Sequence, residues 1–123
     1  MLKTLAVRIG SGYVLVVIPA SRRLDLHLAR EALGDRRARL ASEEELGRDV
    51  PDYELGALPP LGALLDARLY VDPEVWGHDT VTFAAASQTE SVKLATQELF
   101  GSGGFTTVSL VKGPEPGSDD RNW

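Results

Sequence analysis

The stretch Leu2-Lys3-Thr4-Leu5-Ala6-Val7-Arg8-Ile9-Gly10-Ser11-Gly12-Tyr13-Val14-Leu15-Val16-Val17-Ile18-Pro19 decides the fold. Leu5, Val7 and Ile9 alternate with Thr4, Ala6 and Arg8, the period of a half-buried strand. Gly10-Ser11-Gly12 supplies the backbone freedom of a tight hairpin turn. Tyr13–Ile18 is apolar on both faces and predicts a strand at the centre of a sheet. Pro19 ends it, having no amide hydrogen for the ladder.

Beyond Pro19 the period changes. Asp25 is a candidate N-cap, Leu26, Ala29 and Leu33 recur on one helical face, and Gly34 stands where a helix-ending glycine belongs. Arg37–Leu40 reads as a short strand. Ser42-Glu43-Glu44-Glu45 is a capping box, in which hydroxyl and carboxylate satisfy each other's orphan amides; the helix it opens is expected to end near Gly47. Pro51–Leu65 has no clear period. It contains Gly56-Ala57-Leu58-Pro59-Pro60-Leu61-Gly62, bounded by glycines and stiffened by two prolines. Such a loop is either functional or a plain crossover. Arg68–Val71 and Thr80–Ala85 read as strands. Ser91–Ala95 alternates as a strand, while Val92, Ala95 and Leu99 also share a helical face, so a helix over 91–99 stays open; Thr96 is a candidate cap for a last turn through Phe100. Phe105–Val111 reads as a final strand and residues 113–123 as a disordered tail. The expected architecture is one α+β domain over residues 1–112, with a curled, barrel-like mixed sheet flanked by short helices.

Composition narrows the chemistry. At 123 residues the chain suits one domain. It has no cysteine, which excludes disulfides, thiolate zinc sites and a cysteine nucleophile. The longest apolar run, Tyr13–Ile18, is too short to cross a bilayer, and the N-terminus has no long apolar region, so a cytoplasmic protein without membrane association is expected. The net charge of −5 argues against wholesale wrapping of nucleic acid. The charge is uneven, however: residues 1–40 carry Lys3, Arg8, Arg22, Arg23, Arg30, Arg36, Arg37 and Arg39 against Asp25, Glu31 and Asp35. That basic end either engages a few phosphates or solvates a helix and its turns. His27 and His78 have no metal-ligand spacing, Ser87 has no base signalled nearby, and neither a metal nor a cofactor is expected. From the residues alone the reading stops at a soluble α+β domain.

Five segments, in order, carry it further. Leu2-Lys3-Thr4 before an alternating strand, Val17–Asp25, Leu40-Ala41-Ser42-Glu43-Glu44-Glu45-Leu46, Gly56–Gly62 and Ala84–Thr89 resemble the "AKT" opening, strand-to-helix passage, "LATEEEL" segment, "GAVPPFG" loop and "AGSHT" segment of the YbaK/prolyl-tRNA-editing family. The resemblance implies a trans-editing aminoacyl-tRNA deacylase that hydrolyses the ester of a mischarged tRNA. It implies that Lys3, Gly56, Gly62, Ser87 and Gln88 serve catalysis, Lys3 by holding a phosphate or the terminal ribose. It implies that Ala57, Leu58, Pro59, Pro60, Leu61 and Ala86 line the substrate pocket. The partners implied are a tRNA acceptor end and an aminoacyl-tRNA synthetase. Three departures accompany it. Ala86 replaces the family glycine, Gln88 replaces the family histidine, and Lys3 is nearly terminal where the family carries a helix before its lysine, so a truncated homologue or a fragment is expected. The alternative reading is therefore a catalytically impaired module of the same fold that binds tRNA or a synthetase, and uncovered apolar surface makes self-association a further expectation.

Overall fold

A hairpin forms the middle of the molecule. β1 (Leu2–Ile9) pairs antiparallel with β2 (Gly12–Pro19) along its whole length, from Leu2 opposite Pro19 to Ile9 opposite Gly12. This computed structural model describes residues 1–10, 12–61, 65–87, 89–101 and 103–113. From the hairpin a five-stranded mixed sheet grows in both directions, in the order β3-β1-β2-β4-β7. β3 (Arg39–Leu40) is antiparallel to β1, whereas β4 (Arg68–Val71) and β7 (Phe105–Thr107) add in parallel beyond β2. β2 is therefore central, as its two apolar faces require. The outer strands β3 and β7 do not pair with each other, so the sheet stays open and the expected barrel-like closure is not formed among the described residues.

Parallel neighbours need crossovers, and the crossover from β2 to β4 covers parts of both faces. Between β2 and β4 lies α1 (Leu26–Leu33), begun by the Asp25 carboxylate on the amides of His27 and Leu28 and ended by Gly34 at φ 65°. Ala29 of α1 packs with Val7, Val14, Val16, Ile18, Ala38 and Leu110. α2 (Glu43–Asp49) follows, with the capping box formed between Ser42 and Glu45. It runs to Asp49, two residues past the expected end, where the Tyr13 hydroxyl donates to the Asp49 carboxylate. The Glu45 carboxylate accepts from the Arg39 guanidinium at 2.7 Å and lies 3.5 Å from Arg8. Chiefly the Arg39 contact, then the Ser42 amide, holds its pKa down at about 2.

Between β4 and β7 the chain covers the rest of the face opposite α1. Asp72 caps a 3-10 turn, Pro73–Gly77, that the sequence reading lacked. β5 (Thr80–Ala84) and β6 (Ser91–Ala95) make a separate two-stranded sheet, and α3 (Thr96–Phe100) follows directly. The strand reading of Ser91–Ala95 holds, since Val92 faces Phe83 and Leu94 faces Val81 across the ladder. Thr96 does not cap α3: Ala95 takes that place, and the Thr96 hydroxyl donates to the His78 carbonyl.

Three expected strands are shorter than their patterns, β5 only by its last residue, Ala85. Asp35 takes the amides of Arg37, through its side chain, and Ala38, through its carbonyl, so β3 starts only at Arg39. β7 ends at Thr107 because the chain then bends to reach the buried Asp72 carboxylate, which accepts the Leu110 amide at 2.8 Å. The Leu110 carbonyl in turn accepts from the Asp25 amide, and Arg22, itself buried, donates to the Lys112 carbonyl at 2.8 Å. Residues 114–123, expected as a disordered tail, lie outside the described residues, apart from Gly113 at its start.

Candidate functional site

The glycine- and proline-rich loop packs on the sheet face opposite α1. Leu58 is buried with Ala6, Tyr13, Leu15 and Val50. Ala57, Pro59 and Pro60 are buried as well, whereas Gly56 is exposed and Leu61 is 48 % exposed. Gly56 has φ 78°, a conformation that glycine adopts without steric cost, and it directs Ala57 back so that its amide donates to the Glu54 carbonyl at 3.0 Å. Pro60 sits at the apex of a three-residue turn closed by the Leu61 amide on the Pro59 carbonyl at 2.8 Å. With two prolines and two amides so used, Gly56 and Leu58 supply the only backbone N–H groups of residues 56–61 that no backbone acceptor takes among the described residues. Gly62 lies outside them.

The turn between β5 and β6 is stitched to this loop. The Ala86 amide donates to the Ala57 carbonyl at 3.2 Å, and the Ala86 carbonyl accepts from the Glu54 amide at 2.9 Å. These two bonds hold Ala86 at φ 73°, a left-handed conformation that costs a residue with a Cβ about 1 kcal/mol or more. Next to it, the Ser87 hydroxyl lies 2.8 Å from that of Thr89 and accepts the Thr89 amide at 3.1 Å. That is the geometry of a turn staple, and it engages the Ser87 oxygen locally. Gln88 lies outside the described residues.

Lys3 takes a different position. Opposite Lys3 in the ladder is Ile18, whose side chain belongs to the core under α1. Directly paired residues share a face, so Lys3 leaves β1 on the α1 side, away from the face on which Leu58 packs. Its ammonium donates to the Arg22 carbonyl at 2.9 Å. Partial burial, and after it the charge of Arg23, lower its pKa from the ordinary lysine value. The loop and the Ala86 turn are thus brought together, and Lys3 stands apart from them.

The polar member of the β1 series Leu2, Thr4, Ala6 on the loop's side of the sheet is Thr4, opposite Val17. It is 6 % exposed, and its hydroxyl has no hydrogen-bond partner among the described residues. A buried hydroxyl without a partner costs on the order of 1–3 kcal/mol. The sequence reading passed over Thr4. Its signal was phase: Thr4 is the polar member of the inward series Leu2, Thr4, Ala6.

An aminoacyl-tRNA editing domain model matches residues 1–101. The chain belongs to that family. Among solved structures, the editing domain resembles a hypothetical protein at 25% identity and TM-score 0.79, over 91% of this chain and 74% of that one. It also shares its fold with a candidate trans-editing enzyme for prolyl-tRNA synthetase, at 24% identity and TM-score 0.78, over 91% of this chain and 70% of that one. A signal transduction protein from Marinobacter aquaeolei VT8 contains the same fold within a longer chain, at 18% identity and TM-score 0.71, over 89% of this chain and 24% of that one. No curated protein matches the chain.

In this editing domain the ordered structure continues past the matched residues. β7 and the Val108–Lys112 segment complete the sheet and close the core under α1 through Leu110. Among the described residues no group of three or more His, Asp or Glu side chains could hold a metal ion. His27 is paired with Glu31 at 3.0 Å. No helix of the described residues is long and apolar enough to cross a membrane.

Proposed function

We propose that this editing domain, over residues 1–112, hydrolyses the ester between a wrong amino acid and the terminal adenosine of a tRNA, acting in trans beside a cytoplasmic synthetase. The observation that carries this reading is the junction of the Gly56–Leu61 loop with Ala86, two segments that the family likeness marks and that backbone hydrogen bonds join directly. The aminoacyl group lies against that junction, with Ala57–Leu61 and Ala86 as its walls. Water adds to the ester carbonyl carbon, and the developing oxyanion is held by the Gly56 and Leu58 amides, which rigid backbone aims without reorganisation. The carbon–oxygen bond to the ribose then breaks, and the ribose oxygen takes the proton that the water gave up. An aminoacyl ester is reactive enough that positioning of the water, aided by a neighbouring substrate hydroxyl, supplies most of what is needed. Thr4 offers its buried hydroxyl to the substrate. Gly62, Ser87 and Gln88 complete the wall, with Gln88 able to hydrogen-bond but not to become a cation near neutral pH. Lys3, from the far face, holds a phosphate rather than the reacting group.

Single-turnover hydrolysis of a panel of mischarged tRNAs tests the reading. The parent protein is expected to deacylate at least one of them, and Lys3→Ala to lower that rate sharply. Full activity in Lys3→Ala removes the lysine from the mechanism. A parent that binds tRNA yet hydrolyses none of the panel favours the second reading, a binding module of the same fold. The strained Ala86 and the Gln88 substitution are the observations behind that reading, and a variant with Ala86→Gly and Gln88→His decides whether they block the chemistry.

A further inference from the structure

The basic residues of the first forty positions divide into two groups. Arg8 and Arg39 are drawn to Glu45, and Arg48 from α2 to Asp49, so these cations are neutralised beside α2. On the α1 side Arg22 pairs with Glu74 at 3.1 Å, and the acidic groups of the helix and its flanks are engaged. Asp25 caps the helix, Glu31 pairs with His27, and the Asp35 carboxylate accepts the Arg37 and Gly10 amides at 2.8 and 3.4 Å. Arg36 and Arg37, at the turn after α1, are exposed and have no side-chain partner among the described residues. Arg30 reaches from α1 to the Ala38 carbonyl, and beside it opens a cavity of about 500 Å³ lined by His27, Arg30, Glu31, Gly34, Asp35 and Arg36.

The geometry connects these groups. α1 starts next to Arg22 and Arg23, where the Lys3 ammonium is bound, and its far end meets Gly10 through Asp35. Lys3 lies near the start of β1 and Gly10 just past its end, on the order of 20 Å apart at ~3.3 Å per residue. A nucleic-acid duplex carries about one phosphate per 3.4 Å of axis on each strand. A row of cations over that length faces several phosphates in succession.

We infer that the α1 face is a phosphate track for the acceptor stem of the tRNA, beginning at Lys3 and Arg23, passing Arg30, and anchored at its far end by Arg36 and Arg37. The cavity beside Arg36 gives a backbone phosphate room to approach without contact between bases and protein. Phosphate contacts fix register and carry no sequence information. The track therefore sets how far the stem lies along the protein, while the loop junction on the other face receives the aminoacyl end as the single-stranded terminus turns round the N-terminal half of β1, beyond its pairing with β3. The negative net charge fits this arrangement, because a short track suffices to hold one stem. The identity of the RNA rests on the editing reading above; the track itself rests on the exposed Arg36 and Arg37.

The test is binding of uncharged tRNA across salt, with the full chain and three variants. Arg36→Ala/Arg37→Ala is expected to weaken binding about tenfold at ~50 mM salt and to lower the slope of log K against log salt by roughly 1.5, the loss of two phosphate contacts. The doubly exposed site predicts unchanged melting. Arg36→Lys/Arg37→Lys keeps the charges and is expected to keep the slope. Lys93→Ala, an exposed cation on β6 across the molecule, is expected to change neither. Wild-type affinity and slope in the double alanine variant overturn the track while leaving deacylation by the parent intact. An equal loss in Lys93→Ala overturns it too, as a net-charge effect. A parent that neither binds nor deacylates any tRNA overturns both the track and the editing reading.

Discussion

The two faces of the central sheet are built differently. The α1 face is one continuous core in which Val7, Val14, Val16, Ile18 and Leu110 are all at most 1 % exposed. The opposite face is divided. One cluster gathers Leu2, Val17, Val71 and Phe100 under the β5–β6 layer, and a second gathers Ala6, Leu15 and Leu58 under the loop. Thr4 sits between them with its orphan hydroxyl. The continuous face is closed by the packing of Leu110 and its hydrogen bonds to Asp72 and Asp25, whereas the divided face is fastened at its seam by two backbone hydrogen bonds to Ala86. A face left in two pieces can admit a ligand at the join; a face closed in one piece can only present its outer surface to one.

The largest expected effect comes from comparing cavities in the two faces. Ile18→Ala should cost about 2–5 kcal/mol in a single cooperative denaturant transition. Leu58→Ala should cost less overall and release the loop first, seen as fast amide exchange confined to residues 50–61. Equal, fully cooperative losses in both would mean that the two faces are one unit, and the contrast would fail. Next in size is Ala86→Gly. Relief of the left-handed strain, offset by the added freedom of the unfolded chain, should stabilise by about 0.5–1 kcal/mol, read as a higher urea midpoint at unchanged m. A lower midpoint would show that the Ala86 methyl packs usefully at the seam.

Thr4→Val probes the seam from the other side. With no partner to lose, the isostere should be neutral or stabilising within about 1 kcal/mol. If the hydroxyl meets the substrate, the same variant should raise the KM for the mischarged tRNA; a clear loss of stability would instead mean that the hydroxyl has a partner in solution. The smallest effect belongs to Lys3. Its folded pKa is depressed, chiefly by burial, so the charged lysine costs stability below that pKa, and the cost is relieved as pH rises through it toward the unfolded value of about 10.4. The stability of the parent relative to Lys3→Met should therefore rise with pH in that alkaline window. A flat difference would show that the ammonium stays solvated.

Much of the frame was legible because it is local. Alternation and a glycine turn mark the first hairpin, and Asp25, Gly34 and the Ser42–Glu45 box mark both longer helices, all within a few residues of the backbone groups they satisfy. What escaped depends on distant partners. The bend after Thr107 is dictated by Asp72, and the Ala86 conformation by Glu54 and Ala57, which no short window contains. The arrangement of the candidate site was hidden at the same boundary. Strand parity says that Lys3 and Thr4 point to opposite faces, but not which face the loop will cover, so likeness led to Lys3 and left Thr4 unremarked.

The return of the chain at Leu110 bears on how the protein is made. A ribosome releases the first hairpin and α1 long before it releases the residue that closes the core beneath them. Until then the nascent chain has Val7, Val14, Val16 and Ile18 under a helix with part of its floor missing. Parallel strands joined late in synthesis fold slowly and leave apolar surface open to aggregation. Chaperones that bind such surface would therefore meet this chain before its last strand docks.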